Sequence, residues 1–229
     1  MNKKRLAIFD IDGTIFRSSL LIELNWMLMK EGIFPIVIKK ELDKSFYKWI
    51  DRKGSYEDYI EDVVKVYSKY VFNKNQRDIK RIAKKVVEEQ KDRVYVYTRD
   101  LIKQLRKKYI MVAISGSPVE IVEAFNKYYK FDYIFATRRE IKNKKYTKKI
   151  LEIPALNKKK YIKDFIENNN FNLKGSMGLG DTEADVGFLE LVDDPICFNP
   201  NKNLYKIARN RNWKIVVERK DVIYNLDFK

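Results

Sequence analysis

Leu6-Ala7-Ile8-Phe9-Asp10-Ile11-Asp12-Gly13-Thr14 is the stretch that decides the fold. Four apolar residues in a row, stopped by a carboxylate, suit a strand covered on both faces, as in a parallel sheet. Gly13 permits the turn that follows. Asp10 and Asp12 stand on that turn with one residue between them. Both can point into one site, one as a nucleophile and the other as an acid-base group. Acidic pairs before glycine also occur in ordinary turns, so this pair gains meaning from what else reaches it.

Strand and helix signals alternate further along. A strand over 109–114 runs into Ser115-Gly116-Ser117-Pro118, and Pro118 suits the first turn of a helix reaching to about 129. A short strand follows at 133–136, then a hairpin over 140–150 with Asn143 at its turn. Helices are expected at 158–168, 183–191 and 204–212, and strands at 177–179, 196–198 and 214–217, the last being final. Such alternation implies an α/β fold, a parallel sheet sandwiched by helices. Between 17 and 92 the pattern is different. Tyr56, Tyr59, Ile60, Val63, Val64 and Tyr67 recur at helical spacing, and Gly32, Pro35, Gly54 and Asn73 divide the stretch into about four helices. The expected organisation is a core of 1–16 plus 93–229, with 17–92 as an all-helical insertion after the first strand.

Composition narrows the chemistry. The 229 residues include no histidine and one cysteine, Cys197. A Ser-His-Asp triad, an imidazole metal site, an intrachain disulfide and a Cys-rich zinc site are all excluded. Acid-base work falls to carboxylates, Lys, Tyr or water. The single thiol, between Ile196 and Phe198, reads as a core residue and accords with a reducing, cytoplasmic setting. The basic start (Lys3, Lys4, Arg5) meets an apolar run interrupted by Asp10 and Asp12, which is no signal peptide. The most apolar stretch, 20–38, holds Glu23, Lys30, Glu31 and Pro35. It reads as amphipathic helix packing, with contact to a membrane surface as a lesser option.

The net charge is +16, and 138–174 carries 12 Lys/Arg against 4 Asp/Glu, half of that excess. A patch of this kind attracts phosphate esters, nucleic acid or anionic lipid. Lysine is abundant throughout, however, and most such lysines are solvated. No zinc finger, RNP-type aromatic signature or GxxG loop supports nucleic-acid binding.

Three further pieces fall just after predicted strands. Gly180-Asp181-Thr182-Glu183-Ala184-Asp185 places Asp181 at a strand end and Asp185 one turn on. Converging acids repel unless a divalent cation relieves them, and all-oxygen ligands suit Mg²⁺. Asp181 and Thr182 could equally cap the next helix. Ser115 precedes a helix N-terminus, where a hydroxyl and backbone N–H groups make an anion site or an ordinary cap. Lys158-Lys159-Lys160 opens a helix. Ligands in parallel sheets bind beyond the carboxyl ends of the strands, so one cleft could hold Asp10, Ser115 and Asp181.

In this order, the pieces resemble the haloacid dehalogenase-like (HAD) superfamily of phosphatases and phosphotransferases. The match runs through Asp10–Thr14, Ser115–Pro118, a downstream lysine and Gly180–Asp185. Phe198-Asn199-Pro200 and the segment 208–213 further resemble its phosphoserine-phosphatase-like subgroup, subfamily IB. The resemblance implies a Rossmann-like HAD core, with 17–92 as a small helical cap. It implies Asp10 as the nucleophile that forms an aspartyl-phosphate, and Asp12 as general acid and base. Thr14 would orient Asp12 or touch the phosphate. Ser115, with Gly116, would bind the phosphoryl group, and a lysine would offset its charge. Mg²⁺ would bind Asp10, the Asp12 backbone carbonyl and Asp181, with Asp185 close behind. In the family an apolar residue follows that lysine by four positions. Lys158 has Ile162 there, whereas Lys159 has Lys163 and Lys160 has Asp164, so Lys158 is chosen among the three. Phosphoserine phosphatases carry a glutamate seven positions after the second motif Asp. Ser19 stands there, which speaks against phosphoserine as the substrate. Arg17, Arg52 and Lys53 are the cap's anion-binding candidates.

The expected activity is Mg²⁺-dependent hydrolysis of a small-molecule phosphate ester. The alternatives are a phosphotransferase or a lipid-phosphate phosphatase using the same chemistry, or a non-catalytic basic protein that binds nucleic acid. Oligomeric state is not readable.

Overall fold

The computed structural model describes residues 5–226. Lys3 and Lys4, the start of the basic N-terminus, lie outside these residues. Strand β1 (Arg5–Asp10) is the centre of the molecule. It pairs in parallel with β2 (Tyr109–Pro118) on one side and with β5 (Met177–Gly180) on the other. Outward from β2 come β3 (Tyr133–Lys142) and its antiparallel partner β4 (Lys145–Glu152). Outward from β5 come β6 (Asp194–Phe198), β7 (Lys214–Arg219) and the antiparallel β8 (Val222–Leu226). The strand order β4-β3-β2-β1-β5-β6-β7-β8 reverses direction at β1. A crevice opens at such a reversal, beyond the carboxyl ends of the strands. That is where β1 delivers Asp10.

Both faces of the sheet are covered, as the uninterrupted apolar run requires. Ala7, Phe9, Met111 and Ala113 join one buried cluster, while Leu6, Ile8, Val112 and Ile114 join the other. The alternation follows from the two-residue repeat of a strand. The second cluster is closed by α7 (Lys158–Asn168), α8 (Val186–Leu189) and α9 (Lys202–Asn210), through Ile162, Phe188 and Leu204. Cys197 is buried here as a free thiol.

The first cluster is closed by α1 (Leu20–Lys30), α2 (Ile38–Ile50), α3 (Tyr56–Val71), α4 (Gln76–Gln90), α5 (Val96–Leu105) and α6 (Val119–Tyr129). The first four helices occupy the stretch between 17 and 92, which holds no strand. Its breaks fall where the punctuating residues stand, and Arg52 and Asn73 adopt positive φ at two of them. Ser55 caps α3 reciprocally with Asp58, and Asn75 caps α4.

The structure corrects the sequence reading at several points. The stretch 20–38 is helical only over Leu20–Lys30: α1 packs into the core and buries eight of its eleven residues, leaving Glu23, Trp26 and Lys30 as its more open side. Ile36 and Val37, in the turn after it, are exposed. The strand expected at 133–136 continues to Lys142, forming one long hairpin whose Asn143 and Lys144 take positive φ. Such angles belong to tight two-residue turns. The helix expected at 183–191 is a 3₁₀ turn, Glu183–Asp185, followed by the short α8. Two elements lie beyond the reading. Val96–Leu105 begins with β-branched and aromatic residues, yet it is helical because the Glu218 carboxylate of β7 accepts the N–H groups of Val96 and Tyr97 at 3.1 and 2.8 Å. The chain also continues past 217 into β8. Among the described residues, no helix is long and apolar enough to cross a membrane.

Candidate active site

The register of β1 decides which groups meet. Asp10 is level with Ile114 of β2, and Phe9 is level with Leu179 of β5. The residues just past those positions, Ser115 and Asp181, therefore flank the Asp10–Thr14 turn. Asp10, Asp181 and Asp185 each bring a carboxylate oxygen, and these atoms all lie within 4.8 Å of one another. Two glycines make the approach possible. Gly13 has φ +86°, and a Cβ there would stand 2.1 Å from Asp181 Oδ2. A Cβ on Gly180 would stand 2.4 Å from the Cβ of Asp185.

Lys158, 5% exposed, is the cation among these acids. Its ammonium donates to Asp10 Oδ1 at 2.6 Å and to Asp185 Oδ1 at 2.5 Å. Lys159 pairs instead with Glu190, and Lys160 with Asp164. Burial opposes the charge on Lys158, but the fields and hydrogen bonds of Asp10 and Asp185 raise its pKa above the usual lysine value. One cation serves three carboxylates, and the imbalance shows. Burial, reinforced by the charges of Asp185 and Asp12 and opposed by Lys158, pushes Asp10 up to about 7. Burial, followed by the charges of Asp10 and Asp185 and opposed by Lys158, pushes Asp181 well above the ordinary carboxylate range.

Asp10 Oδ2 is buried and has no hydrogen-bond partner. Such an atom is costly unless something outside the polypeptide meets it. The three converging carboxylates, the orphaned oxygen and the all-oxygen donor set fit a hard divalent cation. Asp185 is tied into this arrangement from below. Its Oδ2 accepts the N–H groups of Asp181 and Thr182 at 2.9 and 3.1 Å, so it holds the loop that presents Asp181.

Asp12 sits apart from the lysine, in a cage of neutral donors. Oδ1 accepts the N–H of Leu20 at 2.6 Å, and Oδ2 accepts the hydroxyl of Ser115 at 2.5 Å. The Ser117 hydroxyl reaches both oxygens, at 3.1 and 3.0 Å. The turn of the chain between Asp12 and the first turn of α1 is what brings Leu20 there. The Thr14 hydroxyl donates to Asp181 Oδ1 at 3.3 Å and not to the Asp12 carboxylate. The Ser115 hydroxyl also accepts the Ser117 N–H at 2.9 Å. Ser117 escaped the sequence reading, although its place two residues after Ser115 was a signal.

Asp10, Asp12, Gly116, Lys158 and Asp181 open onto one cavity of about 520 Å³. Its wall is largely apolar, with Leu21, Ile60, Val64, Ile150 and Ile153, and it also includes Tyr56, Tyr67, Ser19 and Arg139. The hairpin β3–β4 supplies a side of this cavity, which no local pattern announced. Arg17, Arg52 and Lys53, the cap's candidate anion contacts, do not line it. Arg17 is exposed and lies over the Tyr95 ring, and Lys53 pairs with Asp51. The basic run 138–174 is divided in the same way. Arg138, Lys142 and Lys163 pair with Glu152, Glu140 and Glu167, while Lys158 is buried.

Residues 7–190 match the family model of haloacid dehalogenase-like hydrolases. No curated protein matches the chain. Among solved structures, a protein of unknown function from Bordetella pertussis Tohama I is similar, with TM-score 0.75 and 18% identity over 93% of this chain and 98% of that one. A phosphoserine phosphatase solved as a phospho-aspartyl intermediate analogue has TM-score 0.63 and 20% identity over 96% of each chain. A substrate-bound phosphoserine phosphatase has TM-score 0.61 and 19% identity over 90% of this chain and 91% of that one. At these identities the likeness is one of fold.

Proposed function

The chain belongs to the haloacid dehalogenase-like hydrolases, and from that premise we propose that it is a Mg²⁺-dependent phosphomonoesterase working through an aspartyl-phosphate on Asp10. The observation that carries this reading is Asp10 itself. It is a buried carboxylate that lines a cavity, with one oxygen held by Lys158 and the other without a partner.

In the first step an Asp10 oxygen bonds to phosphorus and the P–O bond of the ester breaks. Protonated Asp12 gives its proton to the departing alkoxide, which leaves as the alcohol. In the second step the Asp12 carboxylate takes a proton from water. The resulting hydroxide attacks phosphorus, releasing inorganic phosphate and restoring Asp10. Ser115, Ser117 and the Leu20 N–H hold Asp12 in one orientation for both transfers. Lys158 offsets negative charge gathered on Asp10 and the phosphoryl oxygens. Asp10, Asp181 and the Asp12 backbone carbonyl would hold the metal, with Asp185 behind them. When bound, the cation would offset the charge of the converging carboxylates and of the phosphoryl group. Thr14 acts on Asp181 in this reading, and Gly116 lines the phosphate end of the cavity.

The substrate is proposed to be a small phosphorylated molecule. Ser19 lines the cavity but offers no carboxylate to an amino group, which disfavours phosphoserine. The setting is proposed to be the cytoplasm.

The test is release of inorganic phosphate from a panel of phosphomonoesters, with Mg²⁺ or chelator, by wild type and Asp10→Asn. Turnover that needs both Mg²⁺ and Asp10 supports the reading. Absence of release from every ester by folded, Mg²⁺-bound protein would count against it.

A further inference from the structure

The cavity holds a second polar cluster that the phosphoryl chemistry does not use. Arg139 of β3, with Tyr67 and Ser68 of α3, lines its wall. Thr137, two residues earlier on β3, donates its hydroxyl to Gly116 O at 2.7 Å and lines the same wall. Alternate residues of a strand share a face and stand about 6–7 Å apart. Arg139 is therefore set one such step along β3 from the loop that carries Ser115 and Ser117.

The cluster is incompletely satisfied. Tyr67 is 3% exposed, and its hydroxyl has no hydrogen-bond partner. The Arg139 Nε is also buried without one. The guanidinium donates to the Ser68 hydroxyl and lies 5.9 Å from the centre of the Tyr67 ring. Three cations line the cavity. Lys158 is held by Asp10 and Asp185, and Lys65 by Glu61 and Asp62. Arg139 alone has no ion pair among the described residues. Glu120 is near enough for its field to be felt, but its Oε1 is taken by the Tyr146 hydroxyl at 2.5 Å and it does not line the cavity. Arg139 and Tyr67 each hold a buried polar atom without a partner, and both residues line the cavity, so together they match the needs of an incoming anion. Away from the phosphoryl end the wall is largely apolar, with Ser19, Tyr56, Glu61 and Lys65 as its other polar residues.

We propose that Arg139, Tyr67 and Ser68 form a recognition subsite for a second anionic group of the substrate, a carboxylate or a phosphate separated from the phosphoester by an apolar linker. This rests on the phosphatase reading above. The planar fork of Arg139 takes two oxygens of that group, and the Tyr67 hydroxyl donates to one of them. The preferred substrate is then a phosphomonoester with an acid at its other end, and the neutral ester of equal length is a poorer one.

The test compares ω-carboxyalkyl phosphates with their primary amides, and with α,ω-alkanediol bisphosphates, across a series of chain lengths. The expected result for wild type is a kcat/KM about 10- to 100-fold higher for one acidic ester than for the matched amide. Which acidic series wins identifies the group. Arg139→Gln brings the acid-to-amide ratio close to one, Arg139→Lys leaves an intermediate ratio, and Tyr67→Phe lowers it. If Arg139 only ties α3 to β3, its replacement lowers both esters together and the ratio survives. That result, or a wild-type ratio near one, overturns the subsite. If no ester is hydrolysed, the phosphatase reading fails separately. Calorimetry with ω-carboxyalkyl phosphonate and its amide then reads the subsite directly, since equal binding to wild type and Arg139→Gln overturns it.

Discussion

Lys158 donates to Asp10 across 2.6 Å although 148 positions separate them in the chain. The same ammonium reaches Asp185, and all three groups are nearly or fully buried. Removing one partner from a buried charge network leaves the others uncompensated. Lys158→Met should therefore cost about 3–5 kcal/mol of stability, read as a lower denaturant midpoint. The double variant Lys158→Met/Asp185→Asn should lose less than the two single losses added together. Additive losses would show that the groups do not act as one network.

A divalent cation held by Asp10, Asp181 and the Asp12 carbonyl, as proposed, would stabilise the folded chain by mass action. At a Mg²⁺ concentration of about 100 Kd the gain is about 2.7 kcal/mol, or roughly 5–10 °C in Tm. Gly13→Ala should remove that shift, because its Cβ would stand only 2.1 Å from Asp181 Oδ2 and displace that carboxylate. A Tm indifferent to Mg²⁺ in wild type would dismiss the metal.

Ser117 reaches both oxygens of Asp12 yet stands outside the motif residues that the sequence reading assigned to the site. Ser117→Ala should lower kcat by about ten- to hundredfold through misplacement of Asp12, with a smaller change in KM. An unchanged kcat would show that Ser115 and Leu20 suffice.

Glu31, at the end of α1, accepts from Lys85 at 2.6 Å and pairs with Arg81 at 3.5 Å, both on α4. The Lys85 hydrogen bond, then its charge, holds Glu31 below its usual value of 4.5. A carboxylate with a lowered folded pKa stabilises above the unfolded value and loses that contribution as pH falls through the folded one. Glu31→Gln should thus be less stable than wild type at neutral pH, with the gap closing in acid below 4.5. Denaturation midpoints across that range check it, and a constant gap would contradict it.

The candidate site stretches were legible because their residue types lie close together in the chain. Asp10-Ile11-Asp12-Gly13 carries a strand end, a turn glycine and two carboxylates, and Gly180-Asp181 a strand end and a carboxylate, within a few residues. Lys158 was separable from Lys159 and Lys160 because the family resemblance calls for an apolar residue four positions on, and of the three only Lys158 has one, Ile162. Arg139, Tyr67 and Thr137 were not legible. Each lies in a stretch that reads equally well as an ordinary strand or helix face, and nothing in either stretch names the other. The helix α5 was hidden for a similar reason, since the carboxylate that caps it stands 122 residues away.

Sequence alone determined the alternation of strands and helices, the helical stretch after β1 and the acids at the strand ends. Periodicity, turn residues and burial run along the chain, and these are read over a few residues at a time. The tertiary structure alone decided that β1 lies between β2 and β5, so that one lysine serves Asp10 and Asp185 while the neutral donors of the Ser115–Ser117 loop cage Asp12. It also decided that the β3–β4 hairpin and α3 close the cavity around Arg139. Such meetings depend on strand order and register, which follow from the packing of the whole core on both faces of the sheet.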